Sequence, residues 1–239
     1  MMAVKQALEE AHGDEEKAIE ILRKRGQAQA VKRAEREQNE GSVFVEHTEK
    51  KAALVFLACE TDFVARDETF QSAGKKLAKT ALAQGAEAAK TEAASVVPEL
   101  VNKLGENISL AEIHVVEGST LGVYVHSNSK IGVVIGLEGG SSEIAKDVAM
   151  HAAAMAPQVV SPDEVKNEAV EKEKEIWREQ LKKEGKPEAI WDKIMMGKEK
   201  KFREESSLLK QAFAKDTQKT VEQYLGGAKV MSYVRVSVT

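Results

Sequence analysis

The chain has 239 residues, 42% of them hydrophobic and 31% charged, with a net charge of −4. That balance fits one large globular domain or two or three small ones, and no global field draws it to nucleic acid or an anionic membrane. The single cysteine excludes an internal disulfide, and no apolar run approaches the roughly 18 residues of a membrane span.

The N-terminus has no signal-peptide core and is acid-rich from Glu9, so a cytoplasmic location is expected. Val4, Ala7, Leu8 and Ala11 make one helical face. Gly13 suits a left-handed end, and Asp14 is a good N-cap for a second helix over Glu15 to Arg25, stopped by Gly26. Two such helices bury little surface, so a partner element is expected, and the abrupt opening on Met1-Met2 suggests a missing first helix. The segment to Glu40 is polar. Its Lys32, Arg33 and Arg36 read as a solvated linker or helix extension, or else as a basic arm for nucleic acid.

Gly41 to His47 and Lys51 to Cys59 read as strands around a short turn. Between Cys59 and Asp67 the chain turns into a helix carrying Phe70, Ala73, Leu77 and Ala81 and ending near Gly85. A strand-to-helix turn holds side chains out from a rigid sheet. Phe63 there is either a staple folding back on that helix or a contact residue. A shorter helix is expected over Ser95 to Leu104, with Pro98 in its first turn and Gly105 as its stop, then a strand from Ile108 to Glu117.

Strand, turn, apolar strand and helix then recur about 80 residues later, as Gly122 to His126, Ile131 to Leu137 and a helix from Ser141. Ser161-Pro162-Asp163-Glu164 signals a helix start. A helical hairpin follows, turning at Gly185-Lys186-Pro187, with a seam of Val165, Ala169, Ile176, Leu181, Ile190, Ile194 and Phe202. Trp177 and Trp191 lie on it as seam or contact residues. Ser206 to Asp216 reads as irregular, Thr217 to Leu225 as a helix, and Lys229 to Val238 as a last strand.

The expected class is therefore α+β. No P-loop, dinucleotide fingerprint, zincin pair, Cys-x-x-Cys or nucleophile elbow occurs, and the five histidines show no ligand spacing. The residues support an interaction protein rather than an enzyme, with neither cofactor nor metal.

Cys59-Glu60-Thr61-Asp62-Phe63-Val64-Ala65-Arg66 resembles the signature of elongation factor Ts, the guanine-nucleotide exchange factor of elongation factor Tu. Ala7 to Asp14, Lys103 to Ile108, Met150 to Ala153, Gly185 to Glu188 and Lys200 to Phe202 agree with that family, in order along nearly the whole chain. The resemblance implies an N-terminal ubiquitin-associated-like helical domain (1–27, first helix missing) and a linker (28–40). An N-terminal core subdomain (41–118), a C-terminal core subdomain (119–160 and 206–239) and a projecting coiled-coil hairpin (161–205) complete it. Each core subdomain would be a small antiparallel sheet with helices.

It implies a translation elongation factor binding elongation factor Tu in GDP-bound and nucleotide-free states, with no direct nucleotide binding and no nucleic acid or membrane partner. Asp62 and Phe63, within Thr61 to Val64, match the pair that intrudes near the partner's nucleotide site and displaces its magnesium ion. Leu104, Gly105 and His126 match further core contacts, Met1, Met2 and Lys5 the N-terminal contacts, and Ala214 and Lys215 a loop contact. Gln211-Ala212-Phe213 stands where the family has Gln-Pro-Phe, so the local backbone is expected to differ, and no extra C-terminal module is expected. The rival reading is a non-enzymatic adaptor or RNA-binding protein using the core sheets and segment 23–36.

Overall fold

The computed structural model describes the backbone of residues 2–33 and 35–238, and the side chains within it except those of residues 2–4, 23 and 25–32. The chain is α+β and divides into two compact units: Met1–Glu117 with Val125–Gly132 and Val236–Thr239, and Gly118–Tyr124 with Val133–Arg235.

In the first unit, α1 (Met2–Glu10) and α2 (Glu15–Arg33) pack over Ala7, Ala11 and Ala18. The turn between them holds Gly13 at φ +85°, and its N–H caps the Leu8 carbonyl at 2.9 Å. Contrary to expectation, α2 runs through Gly26. A helical glycine costs about 1 kcal/mol relative to alanine. Contacts with α5 (Ala86–Leu104) offset that, including a 2.8 Å bond from the Arg33 guanidinium to the Val101 carbonyl.

β1 (Glu40–His47), β2 (Lys51–Cys59) and β3 (Ser109–Glu117) form an antiparallel sheet in the order β1-β2-β3. α4 (Glu68–Gln84) lies against β1 and β2, and α5 packs on α4 and β3. Phe70, Leu77, Ala78 and Ala81 of α4 meet Phe44, Val55 and Leu57 of the sheet, all buried. Gly74 is the close-approach point, because a Cβ there would sit 2.1 Å from the Phe44 ring. α5 is longer than the expected helix from Ser95. Its alanine-rich start is strongly helix-forming and places Ala89 and Ala93 in the core. Pro98 therefore falls inside the helix, where the carbonyl left without an N–H partner belongs to solvent-exposed Ala94.

The second sheet, β4 (Thr120–Val125), β5 (Ile131–Glu138) and β8 (Lys229–Ser237), has the order β4-β5-β8. Each three-stranded sheet thus joins two successive strands, leaves for helices, and returns a strand to the second one's free edge.

Within the second unit, α6 (Ser142–Met155) is capped by Ser141 and approaches β4 at Gly122, where a Cβ would lie 2.0 Å from the Ala145 carbonyl oxygen. The Ser161–Glu164 signal closes a separate 3₁₀ turn rather than opening the long helix. Glu164 draws in the Ser161 hydroxyl (3.0 Å) and the Val160 N–H (3.1 Å), and extended Val165 breaks the run. The hairpin is α7 (Asn167–Lys183) and α8 (Trp191–Glu205).

The hairpin seam is shifted in phase from the expected one. Val165 and Leu181 are buried as expected and Trp177 takes the seam role of its two expected ones, but Val170 joins them, while Ile176 is 49% and Ile190 43% exposed. Trp177 wins because an indole buries more surface than an isoleucine, and it meets Phe202 edge-on at 6.0 Å. Lys174 pairs with Glu171 and Glu199, and Arg203 with Glu199, all at 2.9 Å. Trp191 is half-buried and donates to the Lys186 carbonyl at 2.9 Å.

The segment expected to be irregular carries β6 (Ala212–Phe213), which pairs with β7 (Asp216–Thr220). The helix expected from Thr217 is only α9 (Val221–Leu225), started by a Thr220–Gln223 capping box.

Candidate protein-interaction site

β2 ends at buried Cys59, whose thiol donates to the Thr61 carbonyl at 3.2 Å. Burial, then the nearby Glu106 and Glu40 carboxylates, push that thiol up to about 12, so it stays protonated. The chain then makes one helical turn, α3 (Asp62–Ala65). Thr61 caps it, its hydroxyl accepting the Val64 N–H at 3.3 Å. Asp67 caps α4 in turn, taking the Thr69 and Phe70 N–H groups at 2.7 and 3.3 Å. The Thr69 N–H holds its carboxyl below the usual range.

Two successive caps leave the turn no room to fold back. Ala65 is its buried anchor, with its carbonyl bonded by Gln71 Nε2 at 2.6 Å, and Val64 packs against the core. Phe63 is 82% exposed, so the staple reading fails; Phe70 takes the core position beside Phe44 instead. Asp62, next to Phe63, is bonded at 2.7 Å by Arg66 one turn on.

Leu104 packs against the same core, and Gly105 ends α5 in the left-handed region at φ +81°, with its N–H on the Val101 carbonyl. That reversal directs Glu106 and Asn107 to the turn. Glu106 accepts the Glu60 and Thr61 N–H groups, both at 3.1 Å, and the Thr61 hydroxyl at 2.5 Å. The Asn107 N–H donates to Glu60 at 2.6 Å. The structure therefore brings Thr61–Val64 together with Leu104 and Gly105. Sequence reasoning gave Glu106 and Asn107 no role. The available signal was two polar residues between a helix-stopping glycine and a strand.

His126 is exposed in the β4–β5 turn of the first unit, its N–H on the Ile131 carbonyl at 2.9 Å. That turn is tied to β1 by the Val43 N–H and Ser129 carbonyl at 2.7 Å. Lys5 is exposed and loosely paired with Glu9 at 3.8 Å. Met1 and the side chain of Met2 lie outside the described residues.

In the second unit, Ala214 and Lys215 sit in the β6–β7 turn, both exposed. His151 of α6 holds this turn, its Nδ1 accepting the Ala214 N–H at 3.1 Å and Nε2 bonding Gln211 at 3.0 Å. Burial depresses the His151 pKa, which favours the neutral ring this pattern requires. Lys215 pairs with Asp147 at 2.6 Å, and Tyr224 donates to the same carboxylate at 2.8 Å while stacking on Phe213. Burial pushes the Asp147 carboxyl up, but Lys215 and Tyr224 outweigh it and hold it below the usual range. His151, read from the sequence as a satisfied histidine beside the apolar face of its helix rather than a ligand, is buried with both ring nitrogens bonded, whereas sequence reasoning gave Asp147 no role.

In the segment proposed as a basic arm, Arg33 is spent on Val101, and Arg36 pairs with Glu60 at 3.3 Å. Among the described residues, no cluster of His, Cys, Asp or Glu could hold a metal, and no helix is long and apolar enough to cross a membrane.

A family model described as Elongation factor TS matches residues 60–239. The chain is 43% identical to an Elongation factor Ts of Deinococcus deserti, aligned over 100% of this chain and 94% of that protein. It is 46% identical to one of Francisella tularensis subsp. novicida, over 100% of this chain and 86% of that protein. It is 44% identical to one of Aeromonas hydrophila, over 100% of this chain and 85% of that protein. With similarity of that depth along its full length, and with the signature turn folded into an exposed, doubly capped structure, the chain belongs to the elongation factor Ts family.

Proposed function

We propose that this chain binds elongation factor Tu and accelerates release of its GDP, using Phe63 as a wedge. The observation that carries the reading is the presentation of Phe63. A phenylalanine 82% exposed on a short capped strand-to-helix turn, with Val64 and Ala65 behind it anchored in the core, is held out from a rigid support where a partner's pocket can receive it. Asp62 beside it is the polar half of the intruding pair, and Thr61 and Val64 frame both. In the first unit, Met1, Met2, Lys5, Leu104, Gly105 and His126 are further contacts; in the second, Ala214 and Lys215.

The mechanism needs no reacting group on this chain. GDP is held on its carrier by phosphate-cradling amides and a magnesium ion. A wedge that displaces those elements weakens the nucleotide's hold, and each tenfold gain in release rate takes only about 1.4 kcal/mol off the barrier. The factor acts on the GDP-bound partner and remains on the nucleotide-free one until fresh nucleotide displaces it. It works in the cytoplasm, without enzymatic turnover, direct nucleotide contact, nucleic acid or membrane.

The test is release of fluorescent GDP from purified elongation factor Tu, with this protein or its Phe63→Ala variant. Burying a phenylalanine at a well-packed contact is commonly worth about 2 kcal/mol or more, so the variant should lose at least roughly thirtyfold in acceleration. Acceleration untouched by the substitution would remove the wedge role from Phe63. No acceleration by the folded wild-type protein would remove the function.

A further inference from the structure

The turn that displays Phe63 is held from outside its own helix. α3 has only four residues, too few to be stable alone. Its cap, Thr61, does two things with one hydroxyl: it donates to Glu106 at 2.5 Å and accepts from the Val64 N–H at 3.3 Å. The first bond orients the second, because a hydroxyl whose proton is committed keeps its lone pairs toward the helix. The other Glu106 oxygen takes the Glu60 and Thr61 N–H groups, both at 3.1 Å. Bonds to a carboxylate are among the stronger hydrogen bonds.

The clasp is reciprocal. Glu60 accepts the Asn107 N–H at 2.6 Å and the Arg36 guanidinium at 3.3 Å, and the Asn107 amide donates to the Arg36 carbonyl at 2.7 Å. The stretch before the wedge is thereby tied to the loop after Gly105 and to the chain entering β1. Asp62 and Phe63 themselves take no part in the clasp: the Phe63 ring stays exposed, and Asp62 is bonded only within its own turn, to Arg66 at 2.7 Å.

We propose that Glu106 is the positioning residue for nucleotide exchange. It makes no insertion into the partner; it locks the Glu60–Thr61 backbone and the Thr61 cap, so that Phe63 projects in one orientation. This rests on Phe63 being the wedge. A wedge on a loosened turn must be ordered during insertion, and a small misplacement of a positioned group can cost about a hundredfold in rate. The loss falls on the step in which Phe63 inserts, because the remaining contacts still form the complex.

The experiment is fluorescent GDP release from elongation factor Tu at increasing factor concentration. It compares wild type, Glu106→Ala, Glu106→Gln, Phe63→Ala and the double variant Phe63→Ala with Glu106→Ala. With Glu106→Ala the saturating release rate should fall roughly tenfold to a hundredfold, while the half-saturating concentration moves less than about threefold. Glu106→Gln keeps one acceptor oxygen and should lie between. It also carries the comparison if the alanine variant melts early.

The double variant should release GDP within about twofold of Phe63→Ala alone, because two residues acting through one wedge are not additive. A purely structural role would lower the active fraction and leave the saturating rate intact. A full saturating rate in both Glu106 variants, or additive losses in the double variant, overturns the proposal while the exchange reading stands. A wild-type protein that does not speed release, or whose acceleration survives Phe63→Ala, overturns the underlying reading and this proposal with it.

Discussion

Phe63 and Phe70 lie on one continuous stretch and do opposite jobs. Phe70 is fully buried against Phe44, and Phe63 is 82% exposed. Phe70→Ala should therefore cost about 3–5 kcal/mol in urea unfolding, whereas Phe63→Ala should change stability by no more than about 0.5 kcal/mol. A Phe63 variant that lost several kcal/mol would mean that the ring packs inward. Cys59 offers a second check at this scale. Its thiol, pushed up to about 12, should resist an aqueous disulfide reagent at pH 8 and react only once guanidinium unfolds the chain. Both apolar residues were legible as phenylalanines near a turn. Phe70 was legible as a core residue from its helical spacing with Ala73, Leu77 and Ala81; whether Phe63 folded back beside it depended on where α3 ended and α4 began, a matter of two caps set by Thr61 and Asp67.

Among the elements, α6 and the β6–β7 turn are coupled through one imidazole. Burial lowers the His151 pKa in the folded protein below its ordinary value of 6.5, so the folded state favours the neutral ring. Its contribution to stability is present above about pH 6.5 and is lost as pH falls below that value, because the unfolded chain takes up the proton first. Melting temperature should decline through that acidic window, and His151→Gln should flatten part of the decline. A wild-type protein with no such slope would show that the ring titrates freely. The packing of α4 on β1 gives a steric counterpart. Gly74→Ala would place a methyl 2.1 Å from the Phe44 ring and should destabilise by about 1–3 kcal/mol, read by thermal or urea melts. Helix periodicity was readable in both cases. The glycine's reason was not, because it lies in a residue thirty positions away on another element.

For the whole molecule, the proposed activity imposes a symmetry of free energies. Whatever factor this protein takes from the partner's affinity for GDP, GDP must take from the partner's affinity for this protein. Titrations should find weaker binding to GDP-loaded elongation factor Tu than to the nucleotide-free form, by the same ratio as the loss in GDP affinity. Equal affinity for the two forms would exclude any weakening of the nucleotide's equilibrium hold. A net charge of −4, with Arg33 and Arg36 already bonded within the chain, gives no counterpart in RNA affinity, so RNA retention that falls steeply with salt should be absent.

The sequence by itself determined the α+β class, most strand positions, the helix stops at Gly85 and Gly105, and the family. These rest on local periodicity, on glycine's access to positive φ, and on an ordered set of motifs, none of which needs distant contacts. The tertiary structure alone decided how far α2 and α5 extend, which face of α7 forms the hairpin seam, and where Phe63 points. In each case the deciding contact comes from a residue or element distant in sequence, which local periodicity does not encode. α5 supports α2 past Gly26; Trp177 outweighs Ile176 in buried area; and Glu106, from the far side of two helices, fixes the turn that carries Phe63.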